Sequence, residues 1–367
     1  MLSKDILSEY NNIRKSQNKE IFCHAPFVNM NFDQYGNASV CCYNRTHILG
    51  TYPKDTIKGM WYGQNAEQLR QYMKKNFLPD GCSICYTQFQ SKNFGGLRAS
   101  AYDALADHRY LEKNGRLIAM PKVLEFEISN VCNLECIMCF GQFSSSIRKN
   151  REHLPPLKNP YDTIFVEQLE EFIPHLTEAK FLGGEPFLIK TYYQIWDLII
   201  QHNPHVRISI TTNGTVLNKR AMDILEKLNV HIIMSIDSLE KENYERIRIN
   251  AKFDRVMGNF QYFREYVKRK NTGMSIAVCP MQQNWREIPR LLAFCNMQNV
   301  LLYFNTIEDP HETTLRKMGY EDLHNVVEYL RATKLVEHND IQGHNNLRYH
   351  DMISQIDYYK ELASKGI

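Results

Sequence analysis

Residues 121–140 read Pro121-Lys-Val-Leu-Glu-Phe-Glu-Ile-Ser-Asn130-Val-Cys132-Asn-Leu-Glu-Cys136-Ile-Met-Cys139-Phe140. An apolar run of strand character, Val123 to Ile128, stops at Ser129-Asn130. Three cysteines follow at once with C-x3-C-x2-C spacing. Three thiolates on one short loop can hold three corners of an iron–sulfur cube and leave the fourth iron without a protein ligand. An open metal position separates a catalytic site from a closed structural one. Two plainer readings compete. A zinc site needs four ligands, and no fourth Cys or His stands beside these three at usual spacing. Buried structural thiols require no such spacing.

The chain has 367 residues, enough for a sizeable barrel with a smaller appended unit. Hydrophobic content is 43% and charged content 23%, ordinary for a globular protein. Lys+Arg 44 against Asp+Glu 41 leaves +3, which gives no field for nucleic acid or a membrane surface. The first ten residues are charged and lack a signal-peptide core, and no apolar run is long enough to span a bilayer. Of the ten cysteines, all but Cys279 and Cys295 fall in metal-type clusters rather than a disulfide pattern. A reducing, cytoplasmic setting is expected.

Ahead of the central loop, Lys4 to Gln17 has helical periodicity. Val28, Met30 and Phe32 then alternate as a strand, Asp33-Gln-Tyr-Gly36 supplies a turn, and Ala38-Ser-Val40 returns. This hairpin carries Cys23 on one arm and Cys41/Cys42 on the other, close enough to share a metal. Two short helical stretches (Thr56–Tyr62, Ala66–Asn76) lead to Cys82-Ser-Ile-Cys85. Four thiols suit either a four-cysteine zinc site or an iron–sulfur cluster. His24 is read as a core or loop histidine.

From Val123 onward, strands alternate with helices. Strands are expected at Val123–Ile128, Glu178–Leu182, Arg207–Thr212, His231–Ile236, Met274–Cys279 and Leu301–Thr306. Helices are expected at Thr163–Leu176, Thr191–Gln201, Lys219–Leu228, Asp254–Lys270 and Arg286–Met297. Six β/α units imply parallel strands with right-handed crossovers. The expected fold is α/β: a partial (β/α)6 TIM-like barrel at 120–310, a Cys-rich hairpin-and-helix unit at 1–110, and a C-terminal helical extension at 311–367. In the extension, Tyr320–Ala332 and Asp351–Ala363 read as helices and Glu337–His350 as a polar loop. Barrel chemistry gathers at the C-terminal ends of the strands. There the chain places Gly183-Gly184-Glu185-Pro186, Thr211-Thr212-Asn213-Gly214 and Ser235-Ile236-Asp237. Arg248 follows as a possible carboxylate fork. Cys279 at the mouth is either a hydrogen-atom donor or core packing, and Cys295 is packing. Glu127, Asn284 and Asn305 are candidate substrate contacts.

Together the cysteine loop, the Gly-Gly-Glu-Pro element and the Thr-Asn-Gly stop resemble the radical S-adenosylmethionine (SAM) superfamily. The resemblance implies a SAM-binding [4Fe–4S] cluster on Cys132, Cys136 and Cys139. It implies SAM contacts from Gly183, Gly184, Glu185, Asn213, Ser235 and Arg248, and a 5′-deoxyadenosyl radical that removes a hydrogen atom from substrate. Cys23-x12-Gly36-x4-Cys41 with Cys82-x2-Cys85 is similar to the opening of twitch or SPASM auxiliary domains. That similarity implies a second [4Fe–4S] cluster on Cys23, Cys41, Cys82 and Cys85, with Cys42 the alternate for Cys41. The pattern departs from those domains twice: its C-x5-C-x3-C continuation is absent, and it precedes the barrel. The expected partners are a peptidyl or small-molecule substrate and a flavodoxin- or ferredoxin-type electron donor, with no nucleic acid and no membrane. Oxidation, cross-linking and epimerisation remain open, as does an electron carrier or metal-binding scaffold without catalysis.

Overall fold

A computed structural model describes residues 4–14, 16, 18–106, 110 and 112–366. The strands in chain order are β1 (Asn29–Phe32), β2 (Asn37–Ser39), β3 (Gly50–Thr51), β4 (Glu112–Lys113), β5 (Arg116–Leu117), β6 (Val123–Phe126), β7 (Glu178–Phe181), β8 (Arg207–Thr212), β9 (Val230–Ser235), β10 (Met274–Val278) and β11 (Leu301–Phe304). β4 and β5 form a separate ribbon, and the other nine make one sheet ordered β11-β10-β9-β8-β7-β6-β1-β2-β3. β6 to β11 are parallel neighbours in sequence order, the arrangement expected of six β/α units.

The N-terminal hairpin is there, with Asn31 opposite Ser39, but it does not stand apart. β1 lies parallel to β6, Asn29 against Val123 and Phe32 against Phe126. The barrel sheet therefore runs on into the cysteine-bearing hairpin. A one-turn helix, Ala25–Val28, precedes β1 where a longer strand was expected.

Successive strand residues face opposite sides of the sheet. One side is apolar: Phe126 stacks between Phe32 and Phe181, and Phe181 meets Tyr192 and Trp196 of helix Lys190–His202. The other side sets polar residues in line, Asn31, Glu125, Lys180, Ser209 and His231, through the register. The barrel interior is accordingly charged and hydrogen-bonded near the four-cysteine hairpin.

Two helical expectations change. Thr163–Leu176 is a helix only to Gln168, continued by two 3-10 turns, because Pro174 cannot supply the N–H that an α-helix needs. Glu337–His350 is not a loop beyond its start: Asn339 caps a helix running Asp340–Ser364. Its polar residues disguised it, since some serve the sheet edge. Asn345 Oδ1 accepts from the Leu302 N–H at 2.7 Å. The first helix is Lys4–Ile13; positions 15 and 17 of the expected Lys4–Gln17 helix, and residues 1–3, lie outside the described residues. Among the described residues no helix is long and apolar enough to cross a membrane.

Candidate active site

The loop after β6 is fixed on several sides. Ser145 Oγ accepts from the Cys132 N–H at 3.1 Å, and the Ser145 and Ser146 hydroxyls donate to the Cys132 carbonyl. The Glu135 and Ile137 N–H groups donate to Ile249 and Ile247 carbonyls. The Gly-Gly-Glu element straps the loop from β7: Gly184 N–H donates to Ser129 and Glu185 N–H to Val131. Both glycines are required here. Gly183 has φ +97°, and a Cβ on Gly184 would lie 2.2 Å from the Val131 carbonyl oxygen.

A cavity of about 320 Å³ opens over this loop, within the range of small-molecule sites. Cys132, Cys136 and Cys139 line it together with Gly183, Gly184, Asn213, Ser235, Arg248 and Cys279. These come from the ends of different strands, as the sequence placed them. Donors are aimed at the sulfurs: Leu134 N–H at 3.5 Å and Asn213 Nδ2 at 3.8 Å from Cys132, and Arg248 Nη1 at 3.8 Å from Cys136. Burial pushes the Cys132 thiol up to about 11 and Cys139 to about 12. Thiolates there need such donors or a metal. Three convergent thiols, donors to sulfur and an open cavity fit a [4Fe–4S] cluster with one unligated iron.

Glu185 takes a different place. It is fully buried and does not line the cavity. Its carboxylate accepts from Thr212 Oγ1 at 2.8 Å and from the Asn213 N–H at 2.8 Å. Burial pushes it up to about 7. It thus holds the end of β8, and with it Asn213, against the loop.

Two residues at the site, Asp237 and Arg45, were given no role of their own from sequence, and Asn284 was expected to contact substrate. Asp237 is buried, pairs with Arg248 at 2.7 Å, and accepts from the Cys279 N–H at 2.8 Å. Asn284 backs this arrangement by donating to the Asp237 and Cys279 carbonyls; it braces the strand ends and does not line the cavity. Arg45 reaches over from the hairpin segment, pairs with Glu127 at 2.5 Å and lies over the Phe143 ring at 5.0 Å. Both Arg45 and Glu127 line the cavity. Asn305 lines a separate apolar pocket beneath helix Asp340–Ser364. Cys279 is a protonated thiol, pushed up by burial and by Asp237. Cys295 is completely buried within the core.

Cys23, Cys41, Cys82 and Cys85 line a second, almost wholly apolar pocket with Phe22, Tyr102 and Arg98. Each sulfur has an N–H donor: Ala25 for Cys23, Asn44 for Cys41, the Asn44 side chain for Cys82 at 3.6 Å, and Arg98 and Ala99 for Cys85. Cys42 does not line this pocket; burial pushes its thiol up, opposed by the charge of Arg98. Four thiols with donors to every sulfur fit a cluster with four protein ligands. Among the described residues no three Cys, His, Asp or Glu are drawn into a single-ion shell. His24 is a core histidine, fully buried, bonded to Ser16 Oγ and the Asn18 carbonyl at 2.9 Å each, and pushed down to about 4 by burial.

Residues 126–295 match the family model of the radical SAM superfamily. A probable GTP 3′,8-cyclase of Methanocella arvoryzae is 23% identical over 251 residues, 66% of this chain and 65% of that protein. The radical SAM cyclopropyl synthase TigE of Paramaledivibacter caminithermalis is 28% identical over 134 residues, 32% of this chain and 27% of that protein. The chain thus spans less than two thirds of the length of these relatives. Streptococcus suis SuiB bound to S-adenosylmethionine superposes with a TM-score of 0.43 at 19% identity, covering 72% of this chain and 62% of that one. The part of the chain that is similar to the radical SAM superfamily thus carries the three-cysteine loop and most of the strand ends facing it.

Proposed function

We propose that the chain is an enzyme that reductively cleaves S-adenosylmethionine and removes a hydrogen atom from a peptidyl or small-molecule substrate. One observation carries this reading. The three loop thiols share a single cavity with Gly183, Gly184, Asn213, Ser235 and Arg248. When bound there, a [4Fe–4S] cluster and SAM supply a one-electron cleavage giving methionine and a 5′-deoxyadenosyl radical.

The chain's residues bind and shield. Cys132, Cys136 and Cys139 are the cluster ligands, and Asn213 and Arg248 direct donors at two of their sulfurs. Gly183 and Gly184 leave room for close backbone approach. Asn213 and Ser235 offer polar contacts for the ribose or carboxylate of SAM, and Arg248 adds a fork for the carboxylate. Glu185, implied as a SAM contact, also positions Asn213 by accepting from its N–H and from Thr212 Oγ1. Leu134, Met138, Phe143 and Leu182 form the apolar wall that keeps water from a radical.

The four-cysteine pocket is read as the seat of a second, auxiliary [4Fe–4S] cluster, with Cys23, Cys41, Cys82 and Cys85 as ligands. The reading rests on the pocket they share and on the donor at every sulfur. It would serve as an electron path for a net oxidation or as a substrate anchor. A flavodoxin- or ferredoxin-type protein is the electron donor in this scheme. The names of the relatives span a nucleotide cyclase and a cyclopropyl synthase, so the substrate is assigned only as a class. Epimerisation is the second reading, favoured by Cys279, a protonated thiol at the cavity wall.

The test is anaerobic reconstitution, dithionite reduction with SAM, and detection of 5′-deoxyadenosine. Its absence with both sites full of iron would leave an electron carrier or scaffold.

A further inference from the structure

Arg98 belongs to two places at once. It lines the four-cysteine pocket, where it is the only formally charged side chain among the described lining residues. Its guanidinium also pairs with Glu125 on β6. The same Glu125 oxygen accepts from Tyr102 Oη at 3.0 Å and lies 3.4 Å from Lys180 Nζ of β7. Arg98 sits 5.6 Å over the Tyr102 ring, and its backbone N–H is one of the donors to Cys85. Its Nε is buried with no hydrogen-bond partner among the described residues. The residue therefore has one terminal nitrogen committed to the barrel and an unspent donor beside an apolar, thiol-lined space.

We propose that Arg98 is a positioning residue that supplies the counter-charge to the group held by Cys23, Cys41, Cys82 and Cys85, and that it sets that group's reduction potential while tying it to β6. This rests on the auxiliary-cluster reading above. Four thiolates around a [4Fe–4S] core leave a net negative charge, and each added electron makes it more negative. A cation in a dry pocket favours the reduced form, because net charge, hydrogen bonds to sulfur and solvent exposure tune such potentials. Glu125 alone would oppose this, but Lys180 and Tyr102 share its charge. The result is that Arg98 remains a cation anchored to β6 by one terminal nitrogen, with the rest of its side chain lining the four-cysteine pocket.

The experiment uses the full chain with C132A, C136A and C139A, so that any iron–sulfur signal comes from the four-cysteine pocket. Iron per chain is measured first, followed by a redox titration read by electron paramagnetic resonance, for Arg98→Met, Arg98→Gln and Arg98→Lys on that background. The neutral variants are expected to show at least a tenfold lower reduced-to-oxidised ratio at a fixed potential, which for one electron is about 59 mV. Arg98→Lys, which keeps the charge, should stay within threefold of the parent. Equal ratios in parent and neutral variants, with about four iron bound, would overturn the role of Arg98 and leave the cluster reading intact. A parent that binds zinc or no iron would overturn both. Should Arg98→Met fail to hold iron, Arg98→Gln carries the comparison. Loss of iron in both neutral variants, but not in Arg98→Lys, would support the counter-charge itself.

Discussion

Arg248 joins two parts of the site: one terminal nitrogen is 2.7 Å from Asp237 Oδ2 and the other 3.8 Å from Cys136 Sγ. Both partners of the ion pair are buried, Asp237 completely. Removing one member leaves the other as an uncompensated charge, which costs about 3–5 kcal/mol. Arg248→Met should therefore lower unfolding stability by that amount and weaken SAM binding. Arg248→Met/Asp237→Asn together should recover much of the stability but not the SAM affinity. Denaturant melts and equilibrium SAM binding separate the two effects.

Glu185 gives a pH dependence. Burial pushes its carboxyl up to about 7 in the folded protein, against about 4.3 when unfolded. Between those values the folded state holds the extra proton, so stability falls as pH rises from about 4.3 toward 7. The size of this contribution is on the order of 3 kcal/mol. Glu185→Gln should flatten that part of the stability–pH curve. A slope identical to that of the parent would remove Glu185 as its source.

Metal content distinguishes the cysteines. The intact chain should bind roughly eight iron and eight sulfide after anaerobic reconstitution, two cubes of four. Removing Cys132, Cys136 and Cys139, or alternatively Cys23, Cys41, Cys82 and Cys85, should halve both. Cys42→Ala should change neither, since Cys42 lies outside the four-thiol pocket. Roughly four iron with one zinc would instead make the N-terminal site a structural zinc module.

β1 covers the edge of β6 along four residues. A chain starting at residue 111 would expose that edge, with Glu125 stripped of Arg98 and Tyr102. Exposed edge strands pair with other chains, so this fragment should aggregate on expression. A soluble, monomeric fragment by light scattering would show that the barrel does not depend on the hairpin.

Cys279 divides the reaction classes. If its thiol returns a hydrogen atom to a substrate radical, Cys279→Ala should still form 5′-deoxyadenosine yet lose product. Full product formation in that variant would eliminate epimerisation through this residue.

Local chemistry was legible in the chain itself. The C-x3-C-x2-C spacing, the glycine pair after β7 and the period of the six barrel strands are set by a few neighbouring residues, and all six strands lie within two residues of their expected bounds. Spacing and side-chain type decide such features because short segments have few conformations open to them. Relationships across the chain were not legible. Arg45 meets Glu127 across 82 positions, Arg98 crosses from the cysteine pocket to Glu125, and β1 docks on β6. The tertiary structure also decided that Cys41 rather than Cys42 faces the pocket, and that Glu185 turns to Thr212 and Asn213 instead of the cavity. Adjacent residues have equal access to a site in sequence. Only packing, which must bury apolar side chains and give every buried charge a partner, selects which of them points in.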